Sequence, residues 1–341
     1  MGLIAPSVLT IAPSHMEPQI IMQINQASGF ARTLSGGNPR VQLDSEDKAV
    51  YIRTAQMRTT MVQNPATGNV VPNPNIVMGM IQCPTYNQRI RTEYDHHDTA
   101  MASKWGLGLP EAYKFAMQQG HHLLLRDRAL YGALPGYGEG IVNTPGATSI
   151  TLPPDTFGNT TVISYDNGQM ALFLLQQILA IKTRTYQLGV PRRFVFLGPQ
   201  RTLGTFEYNI VQLTSYQRPG GGTASTEATL KKVAEEAGGD TIEWMYDDSL
   251  IGQGTGGGLN DLVILIMPEI DPHQKQPLDT NLFAKLSQGF NDNCLMYTDM
   301  VAPMEIPTPL AGGAIDVLTE MRASPGWVTR PECLQLITMP Y

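Results

Sequence analysis

"PEAYKFAMQQGHHLLLRDRALYGALPGYGEGIVNTPG", residues Pro110 to Gly146, has two halves of opposite character. In the first, Tyr113, Ala116, Met117, Leu123, Leu124, Leu130 and Tyr131 recur at steps of three and four, which gathers them on one face of a helix. Pro110 stands where a first-turn proline is tolerated, and Glu111 carries the sign that a helix N-terminus favours. In the second half Gly132, Pro135, Gly136, Gly138 and Gly140 forbid continuation. The spacing predicts a helix of about 23 residues, roughly 35 Å long at 1.5 Å per residue, that stops at a fixed point. Such a length marks a scaffold strut.

On the N-terminal side, residues 1–40 hold a proline-punctuated start, a short helical candidate "EPQIIMQINQASGF" and the loop "LSGGNPR". They read as an arm that must lie on something else. Residues 41–92 read as extended: "KAVYIRTAQMRTTMV" and "IVMGMIQCPTYNQRIRTEYD" flank the breaker "QNPATGNVVPNPN". Two extended arms around such a tip make a long hairpin with few large apolar groups to bury against itself. It is a candidate for contact with another subunit, or else an ordinary edge hairpin of a local sheet.

On the C-terminal side, "ATSITLP" reads as a short strand, and "DNGQMALFLLQQILAIKTRTYQLGVP" as a helix with Asp166 or Asn167 as N-cap and Gly189 as its stop. "RRFVFLGP" has a buried-strand pattern, "QRTLGTFEYNI" a short helix, and "STEATLKKVAEEAGG" a capped helix. "DTIEWMYD" and "DLVILIMP" read as strands around the flexible "SLIGQGTGGGLN", and the end of the chain gives two β-rich runs separated by "SPGW". This alternation between about 160 and 270 argues for an α/β or α+β unit.

The 341 residues suffice for a sizeable core, and 42% of them are hydrophobic. Only 16% are charged, against roughly 25% in a typical soluble domain. The 33 glycines and 25 prolines make up about 17% of the chain, where roughly 12% is usual. A weakly charged, loop-rich chain of this size fits a surface covered by neighbours; a large β-rich monomer fits the same figures. A net charge of −7 without a basic tract argues against tight phosphate-directed binding to nucleic acid. The 15 arginines and 8 lysines favour protein–protein surfaces. Cys83, Cys294 and Cys333 lie far apart and match neither a zinc pattern nor a disulfide framework, which fits a reducing compartment. The start has no basic region of a secretory signal, Pro6 occupies the place where myristoylation needs Ser or Thr, and no run approaches 18 apolar residues. A soluble, cytoplasmic protein is expected.

Chemical motifs are weak. "GQGTGG", Gly252 to Gly257, satisfies G-x-G-x-x-G, but its glycines lead into a strand where a dinucleotide site needs a helix N-terminus. "EYDHHD", Glu93 to Asp98, concentrates metal-ligand types, yet adjacent histidines, as at His96–His97 and His121–His122, share a face of neither a strand nor a helix. "NTT" at Asn159 is a sequon only in a secreted chain. No nucleophile, Walker or H-E-x-x-H motif is present. No enzyme activity, cofactor or metal is expected.

The order of elements resembles the major capsid proteins of tailed bacteriophages, whose fold is shared with encapsulins. The residues that carry the resemblance are Arg126, Asp127, Arg128, Gly132, Gly140, Ile141, Asn143, Pro145 and Gly146 at the end of the long helix, with Val328, Arg330 and Pro331 in a late "V-x-R-P" strand. The resemblance implies an α+β fold: an N-terminal arm at 1–40, an extended E-loop at 41–92, a peripheral domain at 93–159 holding the spine helix, an axial domain at 160–290 and a returning β segment at 291–341. It implies a homo-oligomer of pentamers and hexamers that encloses double-stranded DNA without sequence-specific binding, in the virion and, during assembly, the host cytoplasm. Scaffolding, portal and decoration proteins are the expected partners, and no membrane. Inter-subunit contacts are expected at Arg53, Arg58, Arg89, Arg91 and Glu93 and at the axial loop residues Gly254 and Gly256. Some members bond an E-loop lysine to a partner's asparagine; Lys48, the only lysine before Lys104, sits at the hairpin's base, and no such bond is expected. The alternatives are an encapsulin-type shell that carries protein cargo and, from another class, a soluble α/β enzyme built on residues 160–270.

Overall fold

Two runs, "RFVFLG" and "NDLVILI", have no polar–apolar alternation, as expected of strands covered on both faces. In the computed structural model they are β5 (Arg193–Gly198) and β9 (Asn260–Ile266), at the centre of a five-stranded mixed sheet. The structure describes residues 43–44, 46–58, 75–104, 106, 108–212, 223–270, 294–296 and 303–341. The expected arm at 1–40, the hairpin tip and residues 271–290 of the expected axial domain lie outside them.

Around the two central strands stand β4 (Thr148–Thr151), β8 (Thr241–Tyr246) and β14 (Leu334–Pro340), in the order β4-β14-β9-β5-β8. β4 and β14 run parallel, as do β5 and β8; β9 is antiparallel to both β14 and β5, while β6 (Ile210–Gln212) and β7 (Thr223–Ser225) form a separate antiparallel pair. Phe194 and Phe196 point to one face and Val195 and Leu197 to the other, and all four are fully buried.

The first face is covered by three helices: α3 (Asn167–Arg184), α4 (Gln200–Tyr208) and α5 (Thr226–Gly238). Met170, Leu174, Ile181, Leu203, Phe206 and Leu230 pack there against Phe194, Phe196, Val263 and Ile337. Asp166 caps α3 by accepting the Gln169 amide at 2.9 Å, and Ser225 caps α5 from the Ala228 amide at 3.1 Å. α3 ends at Arg184, five residues before the expected stop at Gly189, and Gly189 belongs to the turn that follows. Lys182 at the end of α3 places Nζ 2.8 Å from each carboxylate oxygen of Asp240, and Asp240 Oδ1 also accepts the Arg192 amide at 2.8 Å. This buried pair ties α3 to the approach of both parallel strands.

The second face is covered by the long helix. It runs over Leu109–Tyr131, 23 residues, with Pro110 in its first turn, and a short helix, α1 (His96–Lys104), precedes it. This α2 buries Met117, His121, Leu125, Ala129 and Leu130. The stripe advances by four residues per step, so His121 and Ala129 lie inside it while Ala116 is exposed. Its C-terminal half lays Leu125, Ala129 and Leu130 on Val195, Leu197, Ile264 and Leu334. Its N-terminal half lies on a second sheet of three antiparallel strands, β11 (Met304–Pro309), β12 (Ile315–Ala323) and β3 (Tyr86–Tyr94). There Thr319 Oγ1 approaches Met117 Sδ at 3.3 Å and the rings of Tyr94 and Tyr113 stack 5.9 Å apart. The helix is a strut joining two sheets.

Glycine fixes where the strut ends. Gly140 has φ +86°, and a Cβ on it would overlap the Tyr131 carbonyl carbon and the Gly132 nitrogen. The returning chain therefore crosses directly under the last turn: the Ile141 and Val142 amides donate to the carbonyls of Ala129 and Leu130 at 3.1 and 3.0 Å. Gly326 passes so close that a Cβ would meet the Ala129 carbonyl oxygen, and its own carbonyl accepts the Gly140 amide at 3.1 Å. Val328, Arg330 and Pro331 of the expected late strand fall on the two-residue strand β13 (Trp327–Val328) and the start of a 3-10 turn, Pro331–Cys333.

Candidate inter-subunit interface

β1 (Ala49–Arg58) and β2 (Asn75–Pro84) form the predicted hairpin, in register from Ala49↔Pro84 to Arg58↔Asn75. Among the described residues each pairs with the other alone. Such a ribbon is marginal in water by itself. Tyr51, Met78 and Met80 lie on one of its faces, the two methionines 81% and 66% exposed, and Ile81 is exposed on the other. A strip of large apolar groups on a free ribbon is a surface built to be covered. Arg53 stands in register opposite Met80, and Arg58 lies at the far end opposite Asn75.

The base of the ribbon is clamped. The Thr85 amide donates to the Lys48 carbonyl at 3.1 Å, Thr85 Oγ1 donates to the Asp47 carbonyl, and Arg322 Nη1 reaches the same Asp47 oxygen at 2.7 Å. Cys83 is buried here, and burial, aided by the Glu139 charge, pushes its thiol up to about 12. Glu139 is the one charged residue between Gly132 and Ala147. One of its carboxylate oxygens accepts the Tyr86 hydroxyl at 2.7 Å; the other accepts the amides of Ala133 and Leu134 at 3.0 and 2.8 Å. Burial, then this hydrogen bond and the carboxylate charge, push the Tyr86 hydroxyl up to about 12. The first residue of β3 is thereby fastened to the glycine-rich exit of the strut. Sequence reading missed Glu139, although a lone carboxylate in a glycine loop is a visible signal.

On β3, Gln88 is buried and Ile90 half-buried on the side of α2, while Asn87, Arg89, Arg91 and Glu93 face outward. Arg89 Nε donates to Glu320 Oε2 at 3.0 Å and Arg91 Nε to Asp316 Oδ1 at 2.9 Å, both on the neighbouring β12. The Asn87 hydrogen bond first, then Arg89, hold the Glu320 carboxyl below its ordinary value. Arg91 also lies 3.8 Å from Glu93. The arginines keep about 60% exposure, so this ladder is organised within the chain and still open to a neighbour.

The glycine loop before β9 is pinned. Gly252 donates to Asp261 Oδ1 at 3.1 Å, Gly254 to the Asn260 carbonyl at 2.8 Å and Thr255 to Thr338 Oγ1 at 3.0 Å. Gly254 is buried inside its own loop and Gly256 is exposed. This replaces the expected flexible loop: the glycines admit a tight series of turns that backbone and side chains hold closed.

"EYDHHD" is a strand-to-helix junction. The Asp98 amide donates to Asp95 Oδ1 at 2.8 Å and the Asp95 amide to Asp98 Oδ2 at 3.3 Å, a reciprocal cap for α1. The His96 and His97 rings lie 4.0 Å apart. Among the described residues no three His, Cys, Asp or Glu side chains could hold a metal, and no helix is long and apolar enough to cross a membrane. A hollow of about 480 Å³ over α4 is lined by Arg201, Glu207, Tyr208 and Tyr246, where the Tyr246 hydroxyl reaches Glu207 Oε2 at 3.4 Å.

No family model and no curated protein sequence matches the chain. Solved structures do. The capsid of Myoviridae phage XM1 aligns over 99% of both chains with a TM-score of 0.69 at 11% identity. The capsid of an empty GTA particle aligns over 99% of this chain and 98% of that one, TM-score 0.56, at 9% identity. The capsid of the cyanophage P-SCSP1u covers 96% and 93%, TM-score 0.55, at 13% identity. At such identities the likeness is one of fold. The chain has the α+β fold of tailed-phage major capsid proteins, over nearly its whole length.

Proposed function

We propose that the chain is the major capsid subunit of a tailed phage or prophage. Copies would tile as pentamers and hexamers into an icosahedral shell around double-stranded DNA, as part of the virion. The observation that carries this reading is the β1–β2 ribbon, which among the described residues pairs only with itself and carries an exposed methionine strip, in a chain that aligns with capsid structures over nearly its whole length. A ribbon with an uncovered apolar strip finds its partner surface on a neighbouring copy, and head-to-tail contacts close into rings where the rotation between copies closes.

On this reading β1–β2 is the E-loop, the region around α2 and the three-stranded sheet is the peripheral domain, and the five-stranded sheet with α3–α5 is the axial domain, which takes in β4 and β14 from outside the expected bounds of 160–290. Arg53 and Arg58 would meet a neighbour from the ribbon, Arg89, Arg91 and Glu93 from the outward ladder, and Gly254 and Gly256 from the axial loop. The net charge of −7 limits adhesion of the packaged polyanion to the wall. Scaffolding, portal and decoration proteins complete the assembly. Size-exclusion chromatography with light scattering and negative-stain microscopy tests the reading. Capsomer-sized rings or closed shells are expected, from the chain alone or with a scaffolding protein added; a monomer under both conditions contradicts it.

A further inference from the structure

The cysteines that spacing keeps apart are brought together by the fold. The Cys294 amide donates to the Pro268 carbonyl at 2.9 Å, and its carbonyl accepts the Thr329 amide at 2.8 Å and Thr329 Oγ1 at 3.0 Å. Cys333 ends the 3-10 turn before β14, and its carbonyl accepts the Met267 amide at 3.1 Å. Both cysteines therefore hang from consecutive residues, Met267 and Pro268, just beyond β9. Their thiol sulfurs lie 2.6 Å apart, well inside the van der Waals contact of two sulfur atoms, with 0% and 1% of each residue exposed. The two sulfurs need to close by only about 0.5 Å to reach the ~2.05 Å of a disulfide bond.

We propose that Cys294 and Cys333 are a cross-linking site: an intrachain disulfide that staples the returning C-terminal segment to the start of β14. The oxidant is a small-molecule disulfide. One cysteine thiolate attacks it, forming a mixed disulfide and releasing one small thiolate. The second cysteine thiolate attacks the protein sulfur of that mixed disulfide and releases the other. Two protein thiols and one small disulfide become one protein disulfide and two small thiols, which carry away both protons. Burial, reinforced by the Cys333 contact, raises the Cys294 thiol above its ordinary value and makes its thiolate scarce. Exchange therefore proceeds through opening of the two-residue pairing of β10 (Leu295–Met296) with β13, Leu295↔Val328 and Met296↔Trp327. The bond closes a span from 294 to 333 and restricts the unfolded chain accordingly. Cys83 lies apart, at the hairpin base, and stays a thiol.

The test uses the wild-type chain, so no variant has to fold, and it does not depend on the shell reading. The protein is incubated with oxidised glutathione in mild denaturant, quenched with acid, unfolded and labelled with a mass-shifting maleimide. Three labels per chain are expected before oxidation and one after, together with a Cys294–Cys333 linked peptide that dithiothreitol abolishes. Without denaturant the same product forms more slowly, and the oxidised protein melts at a higher temperature than the reduced. Three labels surviving oxidation, stable glutathione adducts at either cysteine, or a link that involves Cys83 or a second chain would overturn the proposal.

Discussion

Replacing Glu139 tests the join between ribbon and strut. Its carboxylate accepts three hydrogen bonds, from Tyr86 at 2.7 Å and from the Ala133 and Leu134 amides at 3.0 and 2.8 Å. A hydrogen bond to a charged group contributes about 1.5–3 kcal/mol when shielded. Leu134 is exposed and Glu139 half-buried, so water re-satisfies much of what is lost. Glu139→Ala should therefore cost about 2–4 kcal/mol, and Glu139→Gln, which keeps an acceptor but loses the charge, about 1–2 kcal/mol. Urea unfolding of the unassembled subunit reads both. A double-mutant cycle with Tyr86→Phe should give a coupling of about 1 kcal/mol. The pH dependence has a definite sign. The Tyr86 hydroxyl is raised from 10.0 to about 12 in the folded chain. The neutral phenol thus contributes stability that is complete below the unfolded value and lost as pH rises through the folded one. Wild-type stability should fall between about pH 10 and 12, and Glu139→Gln should narrow that fall. Zero coupling together with an unchanged alkaline profile would refute the join.

Three other perturbations separate assembly from folding. Met80→Asp should leave subunit stability within about 0.5 kcal/mol of wild type in circular-dichroism melts, because the side chain is exposed, and should abolish assembly by light scattering. Lys182→Met strands the buried Asp240 carboxylate and should cost about 3–5 kcal/mol in urea unfolding, whereas adding Asp240→Leu should recover most of it. His121 is buried with no hydrogen-bond partner on either ring nitrogen among the described residues, and burial lowers its pKa from 6.5. A lowered histidine contributes stability that is present above the unfolded value and lost as pH falls through the folded one. The melting temperature should drop below about pH 6.5, and His121→Leu should flatten that drop.

Local patterns carried the elements well and their assembly poorly. The strut was legible because "PEAYKFAMQQGHHLLLRDRALYG" repeats at helical spacing and ends in glycine, a signal that needs nothing beyond itself. Which residues it buries was less legible, since one helix serves two sheets, and the four-residue steps through His121 and Ala129 stand out only once those sheets are in place. β9 and β14 were readable as strands, but the insertion of 334–340 between 148–151 and 260–266 is a long-range pairing. The cysteine pair was hidden for the same reason: sequence separation says nothing about a shared anchor at Met267 and Pro268. The ribbon was legible as a hairpin, but its exposed apolar strip of Tyr51, Met78 and Met80 was not, because it forms only when the register sets these residues on one face. The arginines chosen on β3 face outward, and their engagement with β12 could be seen only once the register was known.

In the proposed assembly this chain tiles a closed shell with its ribbon lying on a neighbouring copy. Cryo-electron microscopy of particles recovered from cells expressing the protein tests it most directly. The account predicts an icosahedral shell whose repeating density fits this fold, with Met78 and Met80 covered by the adjacent subunit. Particles whose shell density does not fit the chain, or a shell in which the β1–β2 ribbon stands free in solvent, would contradict it.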